Sequence, residues 1–415
     1  MTATLFADVR IFDGHDPALT SGSVLVEEGR VTRILGAGES IDHPDLTRVE
    51  GRERVLIPGL IDCHFHAYGI GLDMLVMEAT PMSYTAHKAG ERLGRALRRG
   101  FTTVRDVAGG DIGLARALAE GLVSGPRYLF TGPALSQTGG HGDPRPGDLA
   151  VDVTCCPHTS QVVDGADNLR RAVRELFRTG SHAIKVMTSG GVISLTDPLL
   201  LPQYSAEELA AVADEATRRG SYVAAHAYSP AAISHSVRNG VRSIEHGNLL
   251  DRPTADEMSA RDAVLVPTLA TYAAMEAHGA DLGMTPVQID KNAMVLTAGQ
   301  DAIRIAQDVG VAVGFGTDLM GSLEVHQLEG LRLQVEAHGV LETLRSATSR
   351  AAALIGDADL GRIGRDAHAD LILLDRDPFV DPSALWDPTP STRTVFQAGR
   401  RVPPLEPGDA VPLPA

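Results

Sequence analysis

Leu60-Ile61-Asp62-Cys63-His64-Phe65-His66 reads as a buried strand that ends in two histidines two residues apart. Side chains alternate along a strand, so His64 and His66 project to one side and Phe65 to the other. Two imidazoles at a strand end make half of a metal site. A lone His-x-His pair is weak evidence by itself. Its weight depends on whether later strands end in matching ligands. Cys63, between Asp62 and His64, is read as a small buried filler facing away from the imidazoles.

Downstream of Val55, apolar strand-like runs alternate with amphipathic helical ones, the pattern of a parallel α/β sheet. The first run ends at His66. Further strands are expected at 102–106, 127–131, 183–187, 222–226, 242–246, 263–267 and 311–318. Helices are expected at 86–99, 167–178, 206–219 and 292–307. Ser205 followed by Glu208 has the spacing of a capping box. Gly100, Gly180, Gly220, Gly240 and Gly310 each follow a helical run, where a left-handed cap belongs. Eight β/α units predict a TIM (β/α)8 barrel over residues 55–357, with its chemistry at the C-terminal strand ends.

Residues 1–54 read as short strands, with Glu28-Gly29 as a hairpin turn. After a helical stretch near 341–356, strand patterns return at 369–375 and 392–402. Residues 358–415 are therefore expected to complete a small β-sandwich built from both chain ends. The proline-rich end, 411–415, is expected to be loosely ordered.

The chain has 415 residues, 43% of them hydrophobic, and a formal net charge of −16. That size and apolar content suit a large globular core. The acidic balance argues against nucleic acid or an anionic membrane as a partner. No secretory signal is visible at the start, and no run reaches the ~18 apolar residues of a membrane span. Cys63, Cys155 and Cys156 do not make a disulfide framework, so a reduced, cytoplasmic setting is expected. Cys155-Cys156 has no second pair to make a metal site with. Lys88, Lys185 and Lys291 are the only lysines, and Lys185 stands inside an apolar run.

The strand ends together offer His64, His66, Lys185, His226, His246 and Asp318. Four neutral imidazoles and a carboxylate suit Zn²⁺ or a similar ion. One ion would need three or four of these groups; two ions would use them all. A bare ammonium is a poor neighbour for dications, but Lys185 fits if its amine has taken up carbon dioxide as a carbamate.

Several segments carry a resemblance. They are Pro58-Gly59-Leu60-Ile61-Asp62-Cys63-His64-Phe65-His66, Gly100-Phe101-Thr102-Thr103-Val104-Arg105-Asp106, Ile184-Lys185-Val186-Met187, Ala225-His226-Ala227-Tyr228, Ser243-Ile244-Glu245-His246-Gly247 and Gly316-Thr317-Asp318. Over nearly its whole length the chain resembles the amidohydrolase superfamily. The similar branch is the binuclear one of imidazolonepropionase-like hydrolases, Xaa-Pro dipeptidases (prolidases) and ochratoxin-degrading amidases. The resemblance implies that His64, His66 and Asp318 bind one divalent metal and that His226 and His246 bind a second. It implies that N6-carboxylated Lys185 bridges them, together with a hydroxide, and that Asp318 shuttles the catalytic proton. It also implies that His141, in Thr138-Gly139-Gly140-His141-Gly142-Asp143, and Tyr228 contact the substrate. Deaminases of the superfamily usually carry an acid after the strand-five histidine, and here His226 is followed by Ala227, Tyr228 and Ser229.

The expected activity is hydrolysis of an amide-type C–N bond in a small molecule. Hydrolysis of a carbamate, urea or cyclic amide on the same metals is the alternative, and a catalytically silent binding barrel is a further one. A homo-oligomer is expected. Ser189-Gly190-Gly191-Val192-Ile193-Ser194 and Asp197-Pro198 read as a lid. His87, His158, His182, His235, His278, His326, His338 and His368 lack ligand spacing, and Leu328, Leu331 and Leu333 read as core or subunit contact. Asp106 is expected to support the site or the structure.

Overall fold

The computed structural model describes residues 3–39, 41, 43–148, 158–195 and 197–414; Cys155 and Cys156 lie outside the described residues. The chain begins with β1 (Ala3–Ile11), β2 (Thr20–Glu27), β3 (Arg30–Gly36) and β4 (Leu46–Pro58). Glu28 and Gly29 have φ of 51° and 77°. Both are left-handed, as a two-residue hairpin between β2 and β3 requires, and Glu27 pairs with Arg30 across it.

Ten parallel strands follow. β5 (Leu60–Phe65), β6 (Phe101–Asp106) and β7 (Arg127–Phe130) form a three-stranded sheet. β8 (Ala134–Ser136), β9 (Ser160–Val162), β10 (Ile184–Met187), β11 (Val223–Ala227), β12 (Ser243–His246), β13 (Val264–Val266) and β14 (Ala312–Val313) form a second, in the order β14-β13-β12-β11-β10-β8-β9. Backbone bonds join the two sheets on both sides. His182 N donates to Phe130 O (2.7 Å) beside β7, and Cys63 N donates to Phe315 O (2.8 Å) beside β5. Helices alternate with the strands and pack on them through buried apolar faces, such as Leu209, Val212 and Ala216 against Ile184, Val223 and Ala225. The capping box at Ser205 and Glu208 is formed, and Gly100 ends its helix with φ 105°.

Three features differ from expectation. The eighth strand is laddered only at Ala312–Val313; beyond it, segment 314–318 instead follows the backbone of His64. Gly316 allows this approach, because a Cβ there would sit 2.5 Å from His64 Cβ. The expected helix at 292–307 is two helices, Pro286–Leu296 and Gly299–Asp308. A capping box of Thr285 with Gln288, and Pro286 in the first turn, start the earlier helix upstream of the expected point. β8 and β9 were not foreseen; three residues are too few to show a period.

The chain returns to the first sheet through β15 (Leu371–Leu374), β16 (Arg393–Gln397) and β17 (Arg400–Arg401). β15 lies antiparallel to β4, with Ile372 opposite Ile57. Phe6 and Phe396 meet edge to face at 4.7 Å in the core of this sheet. Both chain ends therefore build one sheet. Toward the chain's end, Arg98 pairs with Asp409 at 2.6 Å, and Val411 N donates to Val325 O at 2.9 Å. Leu328 and Leu331 are core residues. No helix among the described residues is long and apolar enough to cross a membrane.

Asp62 ties β5 to segment 314–318. Its buried carboxylate accepts from His64 N (3.0 Å), Thr317 N (3.1 Å), Thr317 Oγ1 (2.6 Å) and Gln327 Nε2 (2.9 Å). Burial pushes the carboxyl up to about 6, against the pull of these donors. Asp62→Ala leaves four buried donors without an acceptor and is expected to cost about 3 kcal/mol or more. Calorimetry would show a clear fall in the thermal midpoint; an unchanged midpoint would contradict the role given to Asp62.

Candidate metal centre and active site

The expected ligands lie on the parallel strands or in the segments that follow them. His64 lies on β5 and His66 just past it; Lys185 lies on β10, His226 on β11 and His246 at the end of β12. Asp318 follows β14. Alternation alone would turn Glu245 and His246 to opposite faces. His246 escapes this with φ 74°, and Asp318 has φ 56°. Left-handed backbone at non-glycine residues costs on the order of 1 kcal/mol each and tends to gather at functional sites.

The imidazoles converge. Ring centroids are 5.0 Å apart for His64 and His66, 4.8 Å for His64 and His246, and 4.5 Å for His226 and His246. Asp318 Oδ1 lies 2.8 Å from His66 Nε2 and 3.5 Å from His64 Nε2, and Oδ2 lies 3.9 Å from His246 Nδ1. One ligand atom each from His64, His246 and Asp318 fall within 4.8 Å of one another.

The electrostatics suit a cation. Burial holds His64, His226 and His246 well below the usual imidazole range, so each is neutral, the form that ligates metal. Burial opposes ionisation of Asp318, but its surroundings, the hydrogen bond from His66 among them, keep the carboxylate below its ordinary range. Burial pulls the Lys185 ammonium down to about 8, which exposes a neutral amine near physiological pH.

Outer partners fix the rings. Glu245 Oε2 lies 2.8 Å from His64 Nδ1. Glu245 Oε1 accepts from Arg105 at 2.7 Å and from Ser243 Oγ at 2.5 Å. Arg105 Nε also donates to Cys63 O at 2.6 Å. His226 Nε2 lies 3.1 Å from Gly190 O. His246 Nδ1 lies 2.7 Å from Thr268 Oγ1 and 2.8 Å from Tyr272 OH. Asp106 accepts from Ala67 N at 3.0 Å and from Tyr128 OH at 2.7 Å, which steadies the chain just after His66. Ligand histidines held by carboxylates or carbonyls present their other nitrogen in a set direction. Arg105, Glu245, Thr268 and Tyr272 were not recognised from sequence. Glu245 carried the clearest sign, a buried acid beside a strand-end histidine.

His141 and Tyr228 belong to the same cavity. The His141 ring stacks on His226 at 4.2 Å, and Tyr228 stacks on His246 at 5.2 Å. Tyr228 OH lies 2.9 Å from Tyr272 OH. The cavity encloses about 90 Å³ and is lined by all the expected site residues. Met74, Met77, Met187, Met275 and Met320 also line it, a soft apolar wall that adapts to an apolar group. Val192 and Ile193 of the expected lid face it as well. None of the eight histidines read as structural lines it. Cys63 is buried among Ile61, Ala183 and Tyr222, and burial pushes its thiol up to about 12.

Comparison with known proteins identifies the chain's family. The profile of the Amidohydrolase family matches residues 55–402. Ochratoxinase of Aspergillus niger is 31% identical over 405 residues, spanning 91% of this chain and 82% of that protein. A prolidase solved in complex with N-methylphosphonate-L-proline superposes with a TM-score of 0.93 at 40% identity, covering 97% of this chain and all (100%) of that one. A Xaa-Pro dipeptidase with methionine in its active site superposes with a TM-score of 0.83 at 27% identity, covering 96% of this chain and 99% of that one. The chain belongs to the amidohydrolase family and is a hydrolase acting on C–N bonds.

Proposed function

We propose that this protein is a binuclear, metal-dependent amidase that cleaves a peptide, an N-acyl amino acid or a related small amide. The carrying observation is the convergence of His64, His66, Lys185, His226, His246 and Asp318 on one cavity from strands distant in sequence. The relatives named ochratoxinase and prolidase support an amide substrate. In this reading residues 55–357 form a closed (β/α)8 barrel, and the single sheet built from residues 1–54 and 358–415 curls on itself as a β-sandwich beside it.

The donor set fits two divalent ions, with Zn²⁺ the best match for imidazole and carboxylate ligands. His64, His66 and Asp318 would hold one, His226 and His246 the other, and Lys185 as a carbamate would serve both. Ions held there would supply a water of lowered pKa and a Lewis acid for the scissile carbonyl. Asp318, kept ionised beside the His64 and His66 rings, takes the proton of the attacking water and delivers it to the leaving nitrogen. Tyr228, braced by Tyr272, donates a hydrogen bond to the substrate's carboxylate or to the oxygen that gains charge. His141 contacts the substrate carbonyl from the opposite wall. The methionines exclude water and receive an apolar side chain.

Elemental analysis should find about two divalent ions per chain. Chelation should abolish turnover and metal addition restore it. Lys185→Ala should lower kcat/KM by about a thousandfold while leaving the fold intact. Full activity of metal-stripped Lys185→Ala would refute the proposal. Glu245→Gln should weaken metal affinity about 10–100-fold in a chelator competition; unchanged affinity would remove Glu245 from the account. Dipeptides and N-acyl amino acids should be turned over in parallel assays with carbamates and ureas. Turnover of the second set alone would overturn the amide reading.

A further inference from the structure

His141 is locked by a set of contacts that the amide-hydrolase chemistry leaves unused. Its Nδ1 lies 2.9 Å from Ser194 Oγ. Ser194 Oγ in turn donates to Asp197 Oδ1. A serine hydroxyl has one proton, so with that proton on Asp197 its oxygen accepts from His141 Nδ1–H. This selects one tautomer and leaves Nε2 for the cavity that His141 lines. Asp197 Oδ2 accepts from Gln203 Nε2 (3.2 Å) and Gly191 N (3.2 Å). Gln203 Oε1 accepts from His141 N at 3.0 Å, so the same residue grips the His141 backbone. Ser194, Asp197 and Gln203 are all buried.

Two further contacts hold the geometry. Lys291 Nζ donates to three carbonyls of the loop, Gly191 O (3.0 Å), Ser194 O (2.7 Å) and Asp197 O (2.9 Å). Gly191 is required to be bare, since a Cβ there would lie 2.0 Å from His141 Cε1. The ring is thus pinned between Gly191 and Ser194 on one side and His226 on the other.

We propose that Ser194 and Asp197 are positioning residues for His141: they form a relay that fixes its tautomer and turns Nε2 to the substrate, with Lys291 bracing the loop that carries them. The kinetic arm of the test rests on the amide-hydrolase reading; the spectroscopic arm does not. In metal-loaded full-length protein with ¹⁵N-labelled histidine, the His141 ring, assigned by its loss in His141→Ala, should show a protonated Nδ1 and an unprotonated Nε2. Ser194→Ala and Asp197→Asn should each shift that signal, and Ser194→Thr should restore it. On an amide substrate, His141→Ala should lower kcat/KM about a hundredfold and Ser194→Ala roughly tenfold. The double variant should be no slower than His141→Ala alone, because a residue acting through His141 has nothing left to act on. Losses that multiply, or a ring signal unmoved by Ser194→Ala and Asp197→Asn, would overturn the relay. If the wild type turns over no amide, the function proposed above falls, and the ring signal still decides the relay.

Discussion

A fully buried carboxylate, Glu245, is clamped between Arg105 and His64, and the geometry of the site depends on that chain of contacts. Arg105 reaches Glu245 at 2.7 Å, and Glu245 reaches His64 at 2.8 Å. All three groups are out of water. A buried pair of this kind is weak evidence for stability in itself, because desolvation offsets much of the attraction. Its value here is directional. Arg105 also holds the Cys63 carbonyl and Tyr222, so β5, β6, β12 and the residue just before β11 share one polar knot. Removing one member would strand a charge, a penalty of roughly 3–5 kcal/mol. The His64 ring therefore has one orientation, and Asp318, His66 and His246 are arranged around it.

The second constraint is backbone. Parallel strands deliver side chains in alternation, and alternation cannot turn two neighbouring residues to the same side. His246 at the end of β12 and Asp318 in the segment after β14 solve this with left-handed backbone. Gly316 lets the last segment lie against His64, and Asp62 holds it there. Local strain at these positions is tolerated because the surrounding hydrogen bonds over-determine them.

Much of this was legible in the sequence. Strand-end histidines, a lysine alone in an apolar run and a terminal Gly-Thr-Asp carry both chemistry and position, so candidate ligands that share one cavity could be named before their geometry was known. The parallel strands were legible because each is an apolar run bounded by helical periodicity. Other features were not. β8 and β9 are too short to show alternation. The second helix starts at Gly299, where a side chain would collide with Leu269 and Asn248, a long-range constraint. The bracing role of Lys291 depends on a loop nearly a hundred residues away. Tyr272 and Thr268 look like ordinary helix-start residues until the fold brings them to His246. The contacts of Asp409 and Val411 depend on Arg98 and Val325, which no reading of a proline-rich tail contains.

The central claim is a paired-ion centre completed by a modified lysine. Anomalous diffraction at the zinc edge, from crystals grown with the metal, tests it most directly. The account predicts two peaks about 3.5–4 Å apart, one beside His64, His66 and Asp318 and one beside His226 and His246, with carboxyl density on Lys185 Nζ between them. A single peak, or an unmodified Lys185 turned away from both positions, would contradict it.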